Sequence, residues 1–250
     1  MRRILLLGFV GALVFAGVAY AAVTNIYVVN SKVAPTKSGT KKNPKPVSVQ
    51  IEYSVGTSPS GQRPAVVAGY KTLIAGLQEN TTFFPGCSTS TLQSKGPSKC
   101  PKGSQIGSAA INALAGPSSN SSTSYSFPCK FSVPIFNGGQ HNLILYLAKS
   151  NAGPCATSHA GTIVVNLKNG SSLAFTYSIP TSFRHPSAGT DLAITKNVIN
   201  FSNKTVKHNG KQVGLLATIS CAPNKQRQVK DTFTTEGGVS KNVTDLVKCT

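Results

Sequence analysis

The chain has 250 residues and sets 25 Lys and Arg against 6 Asp and Glu, a net charge of +19. Attraction to polyanions is therefore its default electrostatic behaviour, and chemistry that needs paired carboxylates has few to draw on. Charged residues make up only 12% of the chain and tryptophan is absent, which implies a neutral-polar surface with a lysine bias and weakens a sugar-stacking carbohydrate module.

Arg2 and Arg3 precede an uncharged apolar run from Ile4 to Val23, with Ala19-Tyr20-Ala21 as a small-residue site. This predicts a secretory signal over residues 1–21, cleaved after Ala21. An uncleaved anchor is the alternative, since the run is just long enough to cross a bilayer. No cysteine follows it, which argues against a lipid anchor. Residues 22–46 are expected to hold an N-terminal strand and then a basic linker, because Lys32 to Pro46 contains five lysines and three prolines and hardly an apolar side chain. Residues 47–250 are read as a single domain.

Val47, Val49, Ile51, Tyr53 and Val55 alternate with polar residues, the mark of a strand with one buried face. Ala65 to Leu77 reads as a strand, its Gly69 and Gly76 lowering the helical alternative. Cys87 and Cys100 then bracket a turn-rich dozen residues. Ile106 to Ala115 is a small-residue strand. From Tyr125 to Ile135 aromatic and aliphatic residues alternate, so Cys129 should point the same way as Tyr125, Phe127 and Phe131. Pro128 and Pro134 push that strand toward an edge or a bulge. Leu143 to Ala148 suits a fully buried strand. Asn169-Gly170 and Asn209-Gly210 sit between apolar runs and predict hairpins. Leu192 to Phe201 gives a further strand or pair of strands, and Val229 to Thr235 with Val243 to Val247 form a last hairpin through Gly237 and Gly238.

Many short strands and almost no helical periodicity predict an all-β, antiparallel, disulfide-stapled β-sandwich of jelly-roll type; a parallel β-helix is the alternative. All six cysteines, Cys87, Cys100, Cys129, Cys155, Cys221 and Cys249, lie in the exported part, and an even count in an oxidising compartment favours disulfides. Of the fifteen pairings that six cysteines allow, the sequential set, 87 with 100, 129 with 155 and 221 with 249, closes the shortest loops. A metal site is not expected: no C-x-x-C occurs, and His141, His159, His185 and His208 lack ligand spacing.

The segments GTKKNPKPV, FPGC with CPKGSQIG, and Cys221-Ala222-Pro223 running to Cys249 are similar to those of a group of uncharacterised secreted proteins from high-GC Gram-positive bacteria. The resemblance covers most of the chain after the signal. It implies export, pairing at 87/100 and 221/249, and a β-rich body, and it brings no activity, cofactor or catalytic residue. This chain departs from that pattern in having no tryptophan after Cys221.

Chemistry has little purchase in the remaining residues. No motif flags a catalytic pair among Glu52, Glu79, Asp191, Asp231, Glu236 and Asp245. His185, Asp191 and Ser187 could be imagined as a triad, yet no G-x-S-x-G elbow places a nucleophile, and no phosphate loop or cofactor motif is present. Six N-x-[ST] triplets are explained by a composition rich in Asn, Ser and Thr. What remains is charge. Lys37, Lys41, Lys42, Lys45, Lys225, Arg227 and Lys230 are the candidate anion-binding residues. A nucleic-acid partner is disfavoured because no recognition module or aromatic platform accompanies them. The expected partner is an anionic cell-wall polymer or membrane surface, met by a non-catalytic extracellular protein. A secreted hydrolase or glycan-processing enzyme on a jelly roll is the alternative.

Overall fold

The computed structural model describes residues 23–148, 155 and 161–250; the expected signal or anchor and His159 lie outside them. The strands are β1 (Thr24–Ala34), β2 (Lys45–Pro46), β3 (Ser48–Ser58), β4 (Val67–Ala75), β5 (Leu77–Glu79), β6 (Gln105–Pro117), β7 (Phe127–Gly139), β8 (Asn142–Leu147), β9 (Gly161–Lys168), β10 (Ser172–Ser178), β11 (Thr190–Phe201), β12 (Thr205–His208), β13 (Lys211–Gly214), β14 (Leu216–Thr218), β15 (Gln226–Thr235) and β16 (Ser240–Lys248). Two short helices join them, α1 (Thr89–Lys95) and α2 (Thr181–Arg184).

Eleven strands form one sheet in the order β1-β3-β11-β6-β7-β8-β9-β10-β4-β15-β16. Every pairing between the named strands is antiparallel, so the all-β antiparallel expectation holds and a parallel β-helix is excluded. The sheet coils until its two edges meet. Ser31 N on β1 donates to Asp245 Oδ2 on β16 at 2.6 Å, and inside that seam Tyr27 stacks on Phe233 with ring centroids 4.2 Å apart. The two layers of the expected sandwich are thus one nearly closed sheet around a single core.

The core follows from period-2 patterning. Just before and along β3, the predicted inward set Val47, Val49, Ile51, Tyr53 and Val55 is buried throughout. Against it pack Tyr70 and Ile74 of β4, Val133 and Ile135 of β7, Leu173 of β10 and Phe233 of β15. β7 and β8 are covered on their outer face as well. There the bracketed segment folds into α1, whose Leu92 packs on Phe136, Ile144 and Tyr146 beside the Cys87–Cys100 bridge. A strand buried on both faces has no polar alternation, which is why Leu143 to Leu147 reads as an unbroken apolar run.

The three disulfides are Cys87–Cys100, Cys129–Cys155 and Cys221–Cys249, the sequential set. β7 lies between β6 and β8, but β8 pairs with it only from Ile135 onward, so the half that holds Pro128 and Pro134 has β6 alone as a neighbour, a local edge of the kind the prolines predict. Its Cys129 is buried, whereas Tyr125 and Phe127 are exposed. The basic linker is fastened to the body at several points. β2 pairs with β14, Ser38 N donates to Thr250 O at 2.6 Å, and Thr250 N donates to Thr36 O at 3.0 Å.

Candidate functional site

The charge predicted to carry function is gathered at one end of the sheet. Hydrogen bonds lay the 35–46 segment against the C-terminus, and Cys249 N donates to Lys225 O at 3.0 Å, bringing the loop of Lys225 to the same place. Lys37, Lys41, Lys42 and Lys225 are exposed there and Lys45 is half-buried; Lys248, opposite Gln226, adds a cation that sequence reasoning did not single out. Lys230 is exposed farther along β15. None of these lysines has a carboxylate partner among the described residues. An open cleft of about 430 Å³ beside them is lined by hydrogen-bonding side chains, including Ser171, Ser220, Asn224, Gln226 and Gln228.

Arg227 leaves the exposed set. It is 2% exposed, with Nη1 donating to Ala75 O at 2.5 Å and Nη2 to Ser38 Oγ at 3.1 Å and Ser220 O at 3.3 Å. Desolvation without a carboxylate lowers its pKa to about 10. Its role is to fasten the basic segment to β4 and to the loop before Cys221. The period-2 alternation of β15 places 227, 229, 231 and 233 inward together and could have revealed this.

The carboxylates are engaged elsewhere. Glu52 pairs with Lys196 at 2.7 Å. Glu79 is buried, accepts from Thr81 N at 2.7 Å and contacts His141 Nδ1. Asp191 and Glu236 converge on His185, whose Nδ1 lies 3.0 Å from Asp191 Oδ1 and whose Nε2 lies 2.8 and 2.9 Å from the two oxygens of Glu236. Arg184 also bonds Glu236, and Arg63 Nη2 stands 3.6 Å from Asp191 Oδ2. Hydrogen bonding to Glu236 raises the His185 pKa; desolvation opposes it, and the hydrogen bond to Asp191 and the charges of both carboxylates add to the rise.

The imagined triad is therefore half assembled. His185 does meet Asp191, as a catalytic histidine would, but its other nitrogen faces a second carboxylate and not a hydroxyl. Ser187 Oγ donates to Thr190 Oγ1 at 3.0 Å. An imidazolium donating from both nitrogens has no lone pair with which to act as a base. This cluster clasps α2 and the loop after it to the turn between β15 and β16. No grouping of three or more His, Cys, Asp or Glu with metal-binding geometry occurs among the described residues.

No known family, curated protein or solved structure matches the chain.

Proposed function

We propose that the protein is an exported, non-catalytic β-domain that associates electrostatically with an anionic cell-wall polymer through the end bearing Lys37, Lys41, Lys42, Lys45, Lys225 and Lys248. The observation that carries this reading is the fate of the acidic residues. Ion pairs with Lys or Arg hold three of the six, Glu79 is buried against His141, Asp231 is buried, and Asp245 accepts from Ser31 N, so no Asp or Glu side chain among the described residues pairs with the lysines that the folded segment gathers. Three disulfides fit an oxidising compartment outside the cytosol. The neighbouring cleft offers neutral donors and acceptors of the kind that accompany a sugar-phosphate chain.

Retention on a purified poly(glycerol phosphate) wall polymer tests the reading. It should fall steeply from low to moderate salt as the attraction is screened. Replacing Lys37, Lys41, Lys42 and Lys45 together by Gln should weaken it several-fold while Lys230→Gln does little. Salt-independent retention, or equal binding by the quadruple variant, would overturn it. Stronger retention on anionic lipid vesicles than on the polymer would reassign the partner to a membrane surface.

A further inference from the structure

At the end of the sheet opposite the lysine cluster, four segments are knitted together by hydrogen bonds. Asn25, at the start of β1, holds Ala65 through its side chain, accepting from Ala65 N and donating to Ala65 O, each at 2.8 Å. The same loop reaches the connection between β6 and β7, where Arg63 N donates to Ser121 O at 2.5 Å and Thr123 N donates to Gly61 O at 3.0 Å. It also reaches the turn between β15 and β16, with Glu236 N donating to Val66 O at 2.8 Å.

The rim so formed is apolar where it meets solvent. Of the eight large hydrophobic side chains exposed among the described residues, five stand on it or just behind it: Tyr125 and Phe127 where the chain enters β7, Val239 ahead of β16, and Ile26 and Val28 at the start of β1, each more than half exposed. Single exposed apolar residues are ordinary on a protein surface, but a gathering at one end bears on what that end meets. The nearby cations Arg63, Arg184 and His185 are held by Asp191 and Glu236. Lys130 and Lys241, both exposed, follow Phe127 and Val239 by three and two residues.

The sequence shows what adjoins this rim. The apolar run Ile4 to Val23 leads straight into β1 at Thr24. No spacer separates the two, and one residue of extended chain covers only about 3.3 Å, so a surface that holds the run must touch the rim. The lysine cluster lies at the far end. β1 has 11 residues, which at that rise is about 35 Å, several times the screening length of about 8 Å at physiological salt.

We propose that the rim rests on the outer face of the lipid bilayer that retains Ile4 to Val23 as an anchor. Tyr125, Phe127, Ile26 and Val239 enter the interfacial layer, where rings and aliphatic groups with a polar surrounding are at home, and Lys130 and Lys241 reach the phosphates above them. The run is thus kept and not removed at Ala21. The basic end is left pointing away from the lipid, and the contact does not depend on the wall-polymer reading.

Because the chain has no tryptophan, a single introduced one reports depth without background. Val239→Trp and Phe127→Trp at the rim, and Leu246→Trp two residues before Lys248 as the control, are each made in the full chain and reconstituted into phosphatidylcholine vesicles with brominated acyl chains, which quench only a fluorophore that reaches the lipid. Vesicles without net charge give the lysine cluster nothing to bind. Both rim reporters should be quenched several-fold more than Leu246→Trp, with emission shifted to the blue; having two keeps the test decisive should one substitution fail to fold. Replacing Ile26, Tyr125 and Phe127 by Ser in the Val239→Trp chain should cut its quenching several-fold while the anchor keeps the chain on the vesicle. N-terminal sequencing of the protein exported by its own cell should find the apolar run still attached. Rim reporters quenched no more than the control, quenching unmoved by the serine replacements, or an exported chain that begins at Ala22 would each overturn the proposal.

Discussion

Asp231 points into the core from β15, opposite Thr72 of β4. Thr72 Oγ1 donates to its Oδ1 at 2.5 Å while Oδ2 has no partner. Desolvation foremost, with the nearby Asp245 adding to it, raises this carboxyl from 3.8 to about 6. The folded protein therefore binds a proton that the unfolded chain has released, and stability falls as pH rises from about 4 to 6 and then levels. A shift of that size corresponds to about 3 kcal/mol at most. Asp231→Asn keeps the acceptor for Thr72 and removes the charge, so it should stabilise by about 1–3 kcal/mol at pH 8. The gain should vanish near pH 4, as read by urea unfolding at both pH values. His185 behaves in the opposite sense to a destabilising group. Its folded pKa lies above 6.5, so its contribution is complete below 6.5 and is lost as pH rises through the folded value. His185→Gln should cost up to about 1 kcal/mol at pH 5.5, and thermal melts above the folded pKa should no longer separate it from the unmodified protein.

Among the elements, the bracketed segment shows how a single buried side chain can set a loop. Asn137 of β7 is wholly buried, and its Nδ2 donates to the carbonyls of Thr81 and Phe84 at 2.9 Å and of Pro85 at 3.1 Å. Asn137→Leu removes the donor that the Phe84 carbonyl meets in the interior, while Thr81 O keeps Phe84 N at 3.1 Å, and should destabilise by about 1–3 kcal/mol, loosening the segment before the β-sheet itself. Limited proteolysis should cut first between residues 84 and 104; unaltered digestion would remove Asn137 from this role. Nothing in the sequence marks Asn137, because a polar residue on an alternating strand reads as outward-facing.

The same contrast runs through the other elements. The alternation of β3 and the last hairpin were legible, since one buried face writes itself into the residue order. The two Asn-Gly pairs, alike in sequence, behave differently. At 209–210 both residues take positive φ, 48° and 73°, and His208 pairs with Lys211, the tight turn the dipeptide favours. At 169–170 the hairpin forms with a longer connection, Ala174 pairing with Lys168, and the Asn169 amide turns instead to the backbone of Glu79, accepting from its N–H at 2.9 Å and donating to its carbonyl at 3.1 Å. A tertiary contact decides between those outcomes, and sequence order does not contain it. α1 left a fainter trace: Ser88 caps it, accepting from Thr91 N at 3.1 Å, and Gly96 ends it at φ 76°. Its run of Ser and Thr looks like a turn because such side chains favour caps and loops as readily as helices. Of the candidate site, the lysines were readable as charge, but their convergence depends on hydrogen bonds from the segment after β1 to Thr250 and Thr218.

For the molecule as a whole, the seam is the least secured part of the wall. β1 and β16 meet there through Ser31 and Asp245, with Tyr27 of β1 stacked on Phe233 of β15 inside, and no backbone ladder joins the two strands. Hydrogen exchange should release amides of these two strands earlier than those of β6 and β11, which are paired on both sides. Equal protection would mean that the ladder runs unbroken around the core.

That geometry also constrains how other molecules can be engaged. A strand on an open margin is a template for another chain's backbone, but here the two terminal strands of the large sheet face each other across the gap and shelter one another. Recognition by augmentation is thereby discouraged. A visiting chain is left to meet side chains and not backbone.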